Sequence, residues 1–453
     1  MALTVNNETL FSAGDGSAPP TDSDGHGATA GIEDTELILF RSEYEKHFAN
    51  EDGSITAVSY ANPIHYKDDS GSWLDINNTL VSGEDGFVNK ANPNEMRLSK
   101  TAKNKSLVSI KLKDYEFALG IEGINNVGGY EVDRQAKADR TDLTALTSKV
   151  LYGNAFENGS LACILSSCSL ATEITFDRLP GFDSVTYNVE TKNLTAVSKD
   201  GECIFCDATG IGNEIFRVKA PYMIDSAEKL SLNENIKMTL EVIEGGYALT
   251  CVLERQWLES EERIYPVILD LAVESSQFPS NILNISVSSN ASKNNAKLPY
   301  LRVGKKGGTN YAWVKTINPP SLPDDVTCID AKLGLSLLAD ATPQEAAEIW
   351  ELQNAWNVNN LSWSTMQSVA SRLVGNKLYP ALLGEYYKYS IDVTSTAKKW
   401  YNNTMGNWGF LLKYQNVSYN DYNWIISGNN ASVGPSNLPM LSVTYTSAFE
   451  QVG

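Results

Sequence analysis

Residues 329–339 read IDAKLGLSLLA, with Ile329, Ala331, Leu333, Leu335 and Leu337 on alternate positions and Asp330, Lys332, Gly334 and Ser336 between them. A period of two puts successive side chains on opposite faces of an extended strand, here one apolar and one solvated. The alternation returns in Trp408, Phe410, Leu412 and Tyr414, and again in Leu441, Val443 and Tyr445. Clusters of Asn, Gly, Ser and Pro separate the runs, as in the loops of an antiparallel sheet. Between them, DVTSTAKKWY predicts a short helix capped by Thr394 or Ser395. The C-terminal third therefore reads as a β-sandwich of jelly-roll type.

Several pieces of this region match one pattern. They are LRVG at Leu301–Gly304, the Ile329–Ala339 strand, the W-x6-W pair Trp356 and Trp363, IDVT-x5-W from Ile391 to Trp400, NWGF, and P-x-L-x-V-x-Y at Pro439–Tyr445. Together, over residues 272–446, they resemble the DNRLRE domain, a β-sandwich of large secreted bacterial and archaeal proteins, although the DNRLRE string itself is absent. Some members are carbohydrate-binding modules, so the resemblance implies a glycan or cell-wall polymer as partner. It also makes Trp356, Trp363, Trp400 and Trp408 structural, and places a strand near Ile349–Leu352. The latter competes with a capping box at Thr342, Pro343 and Glu345, which favours a helix. A brief helical turn leading into a strand reconciles the two.

Upstream, FANEDGSITAVSYANPIHYKDDSGSWLDINNTL from Phe48, VLYGNAFENGSL, IFRVKAPYMID and WLESEERIYPVILDLAV resemble the region preceding YD repeats in wall-associated and RHS-type proteins of Gram-positive bacteria. That implies a secreted or cell-surface protein, possessing other domains of a longer chain as partners. MALTVNNETLFSAG has neither the basic start nor the apolar core of a signal peptide.

At 453 residues the chain exceeds a single core. The reading gives a mainly β protein of tandem antiparallel β-sandwich domains. It comprises a disordered lead at 1–33, rich in Gly, Ser, Asp and Thr, a β-rich domain at 34–150, a β-sandwich domain at 151–271, the jelly-roll-like sandwich at 272–446 and a tail at 447–453. Within the middle, Ile236, Met238, Leu240 and Val242 alternate, then Tyr247, Leu249, Cys251 and Leu253, joined by a hairpin turn at Glu244–Gly246. Val185, Tyr187 and Val189 form another run, and Ser70–Gly71 turns a hairpin between Lys67 and Trp73.

Acidic residues outnumber basic ones by 55 to 36, for a net charge of −19. A phosphate backbone would be repelled, so no nucleic acid is expected as partner. No apolar run reaches the roughly 20 residues of a membrane span, so no membrane insertion is expected.

The six cysteines include C-x4-C at Cys163 and Cys168 and C-x2-C at Cys203 and Cys206, the ligand count of a four-thiolate zinc site. Their flanks lack glycine-bearing knuckles, and Cys203 and Cys206 would face opposite sides of a strand. Cys251 and Cys328, on apolar faces, read as buried free thiols. No metal and no cofactor are expected. The acidic loop Asp68, Asp69 and Asp75 reads as a solvated hairpin tip rather than a calcium loop. Only His26, His47 and His65 are present, with no G-x-S-x-G, no H-E-x-x-H and no phosphate-cradling glycine loop. The chain is therefore expected not to be an enzyme, with a polysaccharide-active enzyme as the remaining catalytic class.

Sugar binding needs an aromatic face flanked by polar groups. The stretch SYNDYNWIISGNN supplies Tyr419, Tyr422, Asn423 and Trp424 near a loop, and these are the candidate ligand-binding residues. Tyr386, Tyr387 and Tyr389 form a second cluster; for both, ordinary core packing is the competing reading. Two functions follow. One is a non-catalytic surface protein whose C-terminal sandwich binds a glycan or the wall. The other is a structural N-terminal platform of a larger YD-repeat or toxin protein that contacts proteins.

Overall fold

The computed structural model describes residues 36–133, 140–209, 212–226, 231–278, 280–289, 300–305, 309–316, 318–324, 326–338, 347–357, 361–366, 368–369, 371–378, 386–414, 422–426 and 437–447. The expected mainly β, antiparallel sandwich class is what it shows.

Two sheets form the first sandwich. An eight-stranded sheet runs in the order Lys237–Ile243, Gly246–Val252, Ser184–Lys192, Tyr115–Ile121, Val108–Leu112, Glu95–Ser99, Gly86–Ala91 and Asn77–Ser82. Facing it is a ten-stranded sheet whose central strands are Gly159–Leu165, Ser169–Phe176 and Val267–Ser275. Met96, Phe117, Tyr187 and Leu249 from one, and Leu161, Ile174, Phe205, Phe216 and Leu269 from the other, lie fully buried in one cluster. Phe117 meets Phe205 edge-on at 5.0 Å, an arrangement that adds about 1 kcal/mol beyond area burial. The expected division near residue 150 cuts through this sandwich, because Ser184–Lys192 pairs directly with Tyr115–Ile121. The hairpin predicted at Glu244–Gly246 forms, with Gly245 at φ 84°, although Val242 at its tip is exposed instead of packed.

The second sandwich grows from a twelve-stranded sheet that folds over one core. One arm carries Val326–Leu338 and Met440–Ser447; the other carries Ala347–Leu352 and Phe410–Tyr414. Ala331, Leu333, Leu335, Leu441, Val443, Ile349 and Leu412 are completely buried between them. The predicted apolar positions Ala331, Leu333 and Leu335 are buried, but Gly334 and Ser336, expected on a solvated face, are buried as well, and Ile329 departs from the pattern. A bulge between Cys328 and Asp330 places one extra residue on that strand. Cys328 turns inward and Ile329 is left 43% exposed.

The helix forms at Thr394–Tyr401, but neither Thr394 nor Ser395 caps it. Asp392 Oδ1 accepts the Thr394 amide at 2.9 Å, while Thr394 Oγ1 accepts from the Ala331 amide at 2.9 Å and ties helix to strand. Buried Glu351 holds the other side, accepting from Thr396 Oγ1 at 2.6 Å, Lys399 Nζ at 2.7 Å and Arg372 Nε at 2.7 Å. Burial opposes its charge, yet these donors hold its carboxyl down at about 2, against an ordinary 4.5. Trp400 is buried in this core, and Trp356, Trp363 and Trp408 pack around a smaller cluster behind it, as structural tryptophans would. The capping box at Thr342–Glu345 lies outside the described residues, and the expected strand spans Ala347–Leu352.

The strand that completes this sheet comes from the other end of the chain. Strands β1 (Glu45–Ala49) and β2 (Ile55–Tyr60) form a hairpin, and β2 pairs antiparallel with Met440–Ser447 over its whole length, Ile55 opposite Tyr445 and Tyr60 opposite Met440. Asn281 locks the junction: its amide donates to Ala61 O at 2.7 Å and its Nδ2 to Ser59 Oγ at 2.7 Å. The boundary placed at residue 272 thus omits two strands of the sandwich.

A fragment spanning 272–446 should consequently unfold at lower temperature and less cooperatively than one spanning 34–447, by calorimetry; equal transitions would refute the role of β2. Val58, fully buried on β2, should cost about 2 kcal/mol when changed to Ala. Glu351→Gln should cost about 3 kcal/mol at neutral pH by leaving Arg372 and Lys399 without their anion. Because the folded carboxyl titrates below its ordinary 4.5, its stabilisation is complete above that value and is lost as pH falls toward about 2. The gap between wild type and variant should close over that window.

Candidate functional site

A second hairpin, β3 (His65–Lys67) and β4 (Trp73–Asp75), stands beside the β1–β2 pair. Its turn is self-contained: Asp68 Oδ1 accepts from the Ser70 and Ser72 amides at 2.9 Å each, and Gly71 takes φ 83°. Asp69 is exposed at the tip. Asp75 points elsewhere, into a cluster of charges.

That cluster gathers five side chains from separate pieces of backbone. Arg41 binds Glu36 through Nε at 2.6 Å and Nη2 at 3.0 Å, and reaches Asp75 Oδ2 at 2.9 Å. Lys46 on β1 bridges the same carboxylates, 2.9 Å from Glu36 Oε2 and 2.6 Å from Asp75 Oδ1. His65 completes it from β3, with Nε2 3.4 Å from Asp75 Oδ1 and 3.8 Å from Glu36 Oε1. Burial would raise both acids, but the neighbouring donors win. Hydrogen bonds and charge from Arg41 and Lys46 hold Glu36 below its usual range, and Lys46 and Arg41 likewise hold Asp75 well below.

Next to this cluster opens a cleft of about 550 Å³. Tyr66, Lys67 and Trp73 line it from the hairpin, Leu112 and Tyr115 from the eight-stranded sheet, and Asn213, Gln277 and Phe278 from the far side. Lys67 Nζ sits 4.8 Å from the Trp73 ring, and burial pushes the Glu43 carboxyl at its edge upward. Flat aromatic faces beside amide and charged groups suit a small polar ligand with one apolar face. His47, by contrast, is core: it stacks on Phe40 at 5.2 Å, its Nδ1 lies 3.1 Å from Tyr445 Oη, and burial lowers its pKa to about 4.

The residues singled out for ligand binding fall elsewhere. Tyr419 lies outside the described residues. Tyr422, Asn423 and Trp424 lie not in a loop but on the strand Tyr422–Ile426, opposite Gly304, Val303 and Arg302. All six cysteines are free thiols, Cys251 and Cys328 among the buried ones. Glu36, Arg41 and Lys46 escaped the sequence reading because nothing local marks them: 39 positions separate Glu36 from Asp75, and only strand pairing brings them together.

No family model matches the chain. Over 430 residues, 91% of its length, it is 25% identical to the tRNA3(Ser)-specific nuclease WapA of Bacillus spizizenii, the tRNA nuclease WapA of Bacillus subtilis and the tRNA(Glu)-specific nuclease WapA of Bacillus subtilis subsp. natto. It spans only 18% of each of these relatives.

These findings correct three expectations. The DNRLRE assignment falls, since one kind of relative runs through both regions that had been split between two families; strand alternation and tryptophan spacing describe a sandwich core, which unrelated sequences share. The expectation of a protein that is not an enzyme falls because all three relatives are named nucleases. The exclusion of nucleic acid falls with it: those names specify tRNA, and a net negative charge alone does not exclude such a partner.

The charge cluster yields a graded prediction for stability. Glu36→Gln, whose side chain is 12% exposed, should cost about 2–3 kcal/mol. Asp75→Asn, at 49%, should cost about 1 kcal/mol because water screens its pairs. Denaturant titration measures both, and the reverse order would show that Asp75, not Glu36, anchors the cluster.

Proposed function

We propose that the chain is a portion of a large secreted or cell-surface bacterial protein with nuclease activity toward tRNA, and that its two sandwiches are the platform that presents that protein at the surface. The likeness to WapA proteins over 91% of the chain supports the class. The observation that carries the platform reading is the closure of the C-terminal sheet by β2, which ties an early strand to the last described one. Such a tie resists local opening, because the sheet cannot release either strand without disturbing the other. Among the described residues no helix is long and apolar enough to cross a membrane.

The test uses the complete gene product with and without residues 36–447, followed in parallel by tRNA cleavage in lysates and by accessibility to external protease on intact cells. Loss of surface accessibility with cleavage retained is the expected result. Undiminished surface display of the deleted form would remove the platform reading.

A further inference from the structure

His65 is the one member of the charge cluster whose hydrogen bonding does not close. Its ring is completely buried, and Nδ1 lies 2.6 Å from the carbonyl oxygen of Ser42, which can only accept. Nδ1 therefore carries a hydrogen, and a neutral ring presents a lone pair at Nε2. That lone pair has no hydrogen-bond partner and faces two carboxylate oxygens, Asp75 Oδ1 at 3.4 Å and Glu36 Oε1 at 3.8 Å. Three electron-rich atoms converging on one point form a donor set that a cation can complete.

We propose that Glu36, His65 and Asp75 form a binding site for a first-row divalent metal ion, with Zn²⁺ as its representative. The three donor atoms lie within 4.8 Å of one another. Two donors about 2.1 Å from a common ion stand roughly 3.0–3.6 Å apart at angles between octahedral and trigonal values, so 3.4 Å fits directly and 3.8 Å needs a small inward shift. One imidazole with two carboxylates suits zinc or manganese better than calcium, which takes oxygen alone. The bond from Nδ1 to Ser42 O is the outer contact that fixes ring and tautomer in metal-binding histidines. Asp75, half exposed, leaves an entry path.

Arg41 and Lys46 set the strength of the site. Their two positive charges already balance the two carboxylates, so an incoming dication competes with them. Both crowd oxygens that would bind metal: Lys46 Nζ lies 2.6 Å from Asp75 Oδ1 and Arg41 Nε 2.6 Å from Glu36 Oε1. Bound metal would clasp β3 and β4 to the segment at Glu36, outside the sheet ladders.

Isothermal titration of the EDTA-dialysed full chain with ZnCl₂ tests this. Wild type should bind one equivalent and its melting temperature should rise. His65→Gln and the better-tolerated Asp75→Asn should each weaken binding at least about tenfold, and Lys46→Met should tighten it. Substituted Co²⁺ should show bands of nitrogen and oxygen ligation without thiolate charge transfer. Absence of binding by wild type, which is the result expected if a protonated His65 simply pairs with Asp75, overturns the proposal. So do thiolate bands, which would move the ion to the cysteines, and binding unchanged in both His65→Gln and Asp75→Asn.

Discussion

The pairing of β2 with Met440–Ser447 is the contact on which the architecture turns. Strands nearly four hundred positions apart in sequence must meet in register, Ile55 on Tyr445, before the C-terminal core is closed. A slip of one residue would turn Val58 and its neighbours to the wrong face. Contacts so distant in sequence form late, because loop closure has to be achieved before they return any stabilisation. The intervening sandwich, with its own core from Leu80 to Val273, lessens that cost: once folded, it holds the two ends at a fixed separation.

Buried charge in this molecule follows a single rule. Glu351 collects Thr396, Lys399 and Arg372; Asp225 pairs with Arg263, whose guanidinium also lies 3.5 Å over Trp257. Each carboxylate collects donors from a helix or loop that lies beside its strand. These clusters locate those contacts more than they strengthen the fold, since a buried pair roughly repays its own desolvation. The group around His65 departs from the rule, because its donors and acceptors do not balance.

What the residues disclosed beforehand was local. Period-two alternation exposed the strands at Leu333, Leu412 and Val443, since a half-buried strand must repeat that way. Turns at Gly71 and Gly245 were legible because a positive φ selects glycine. The bulge at Cys328 was not, as one added residue leaves no mark on composition. Asp392, which accepts the Thr394 amide, was passed over in favour of the adjacent hydroxyls, of which Thr394's accepts from the Ala331 amide and Ser395's from Arg372. Least visible of all were the membership of β1 and β2 in a distant sheet and the assembly of Glu36, Lys46 and Asp75. Both depend on topology, which no window of sequence contains.

The order of β1, β2 and Met440–Ser447 also has a mechanical meaning. Glu45 lies level with Leu441 across Ser59, whereas Ala49 lies level with Tyr445 across Ile55. A pull applied to the chain before Glu45 and after Ser447 would draw the two outer strands in opposite directions along their own axes. The ladder bonds, which run perpendicular to the strands, would then be loaded together in shear instead of being peeled apart one by one. Tension borne through this chain would meet its greatest resistance where β1 and β2 clasp Met440–Ser447.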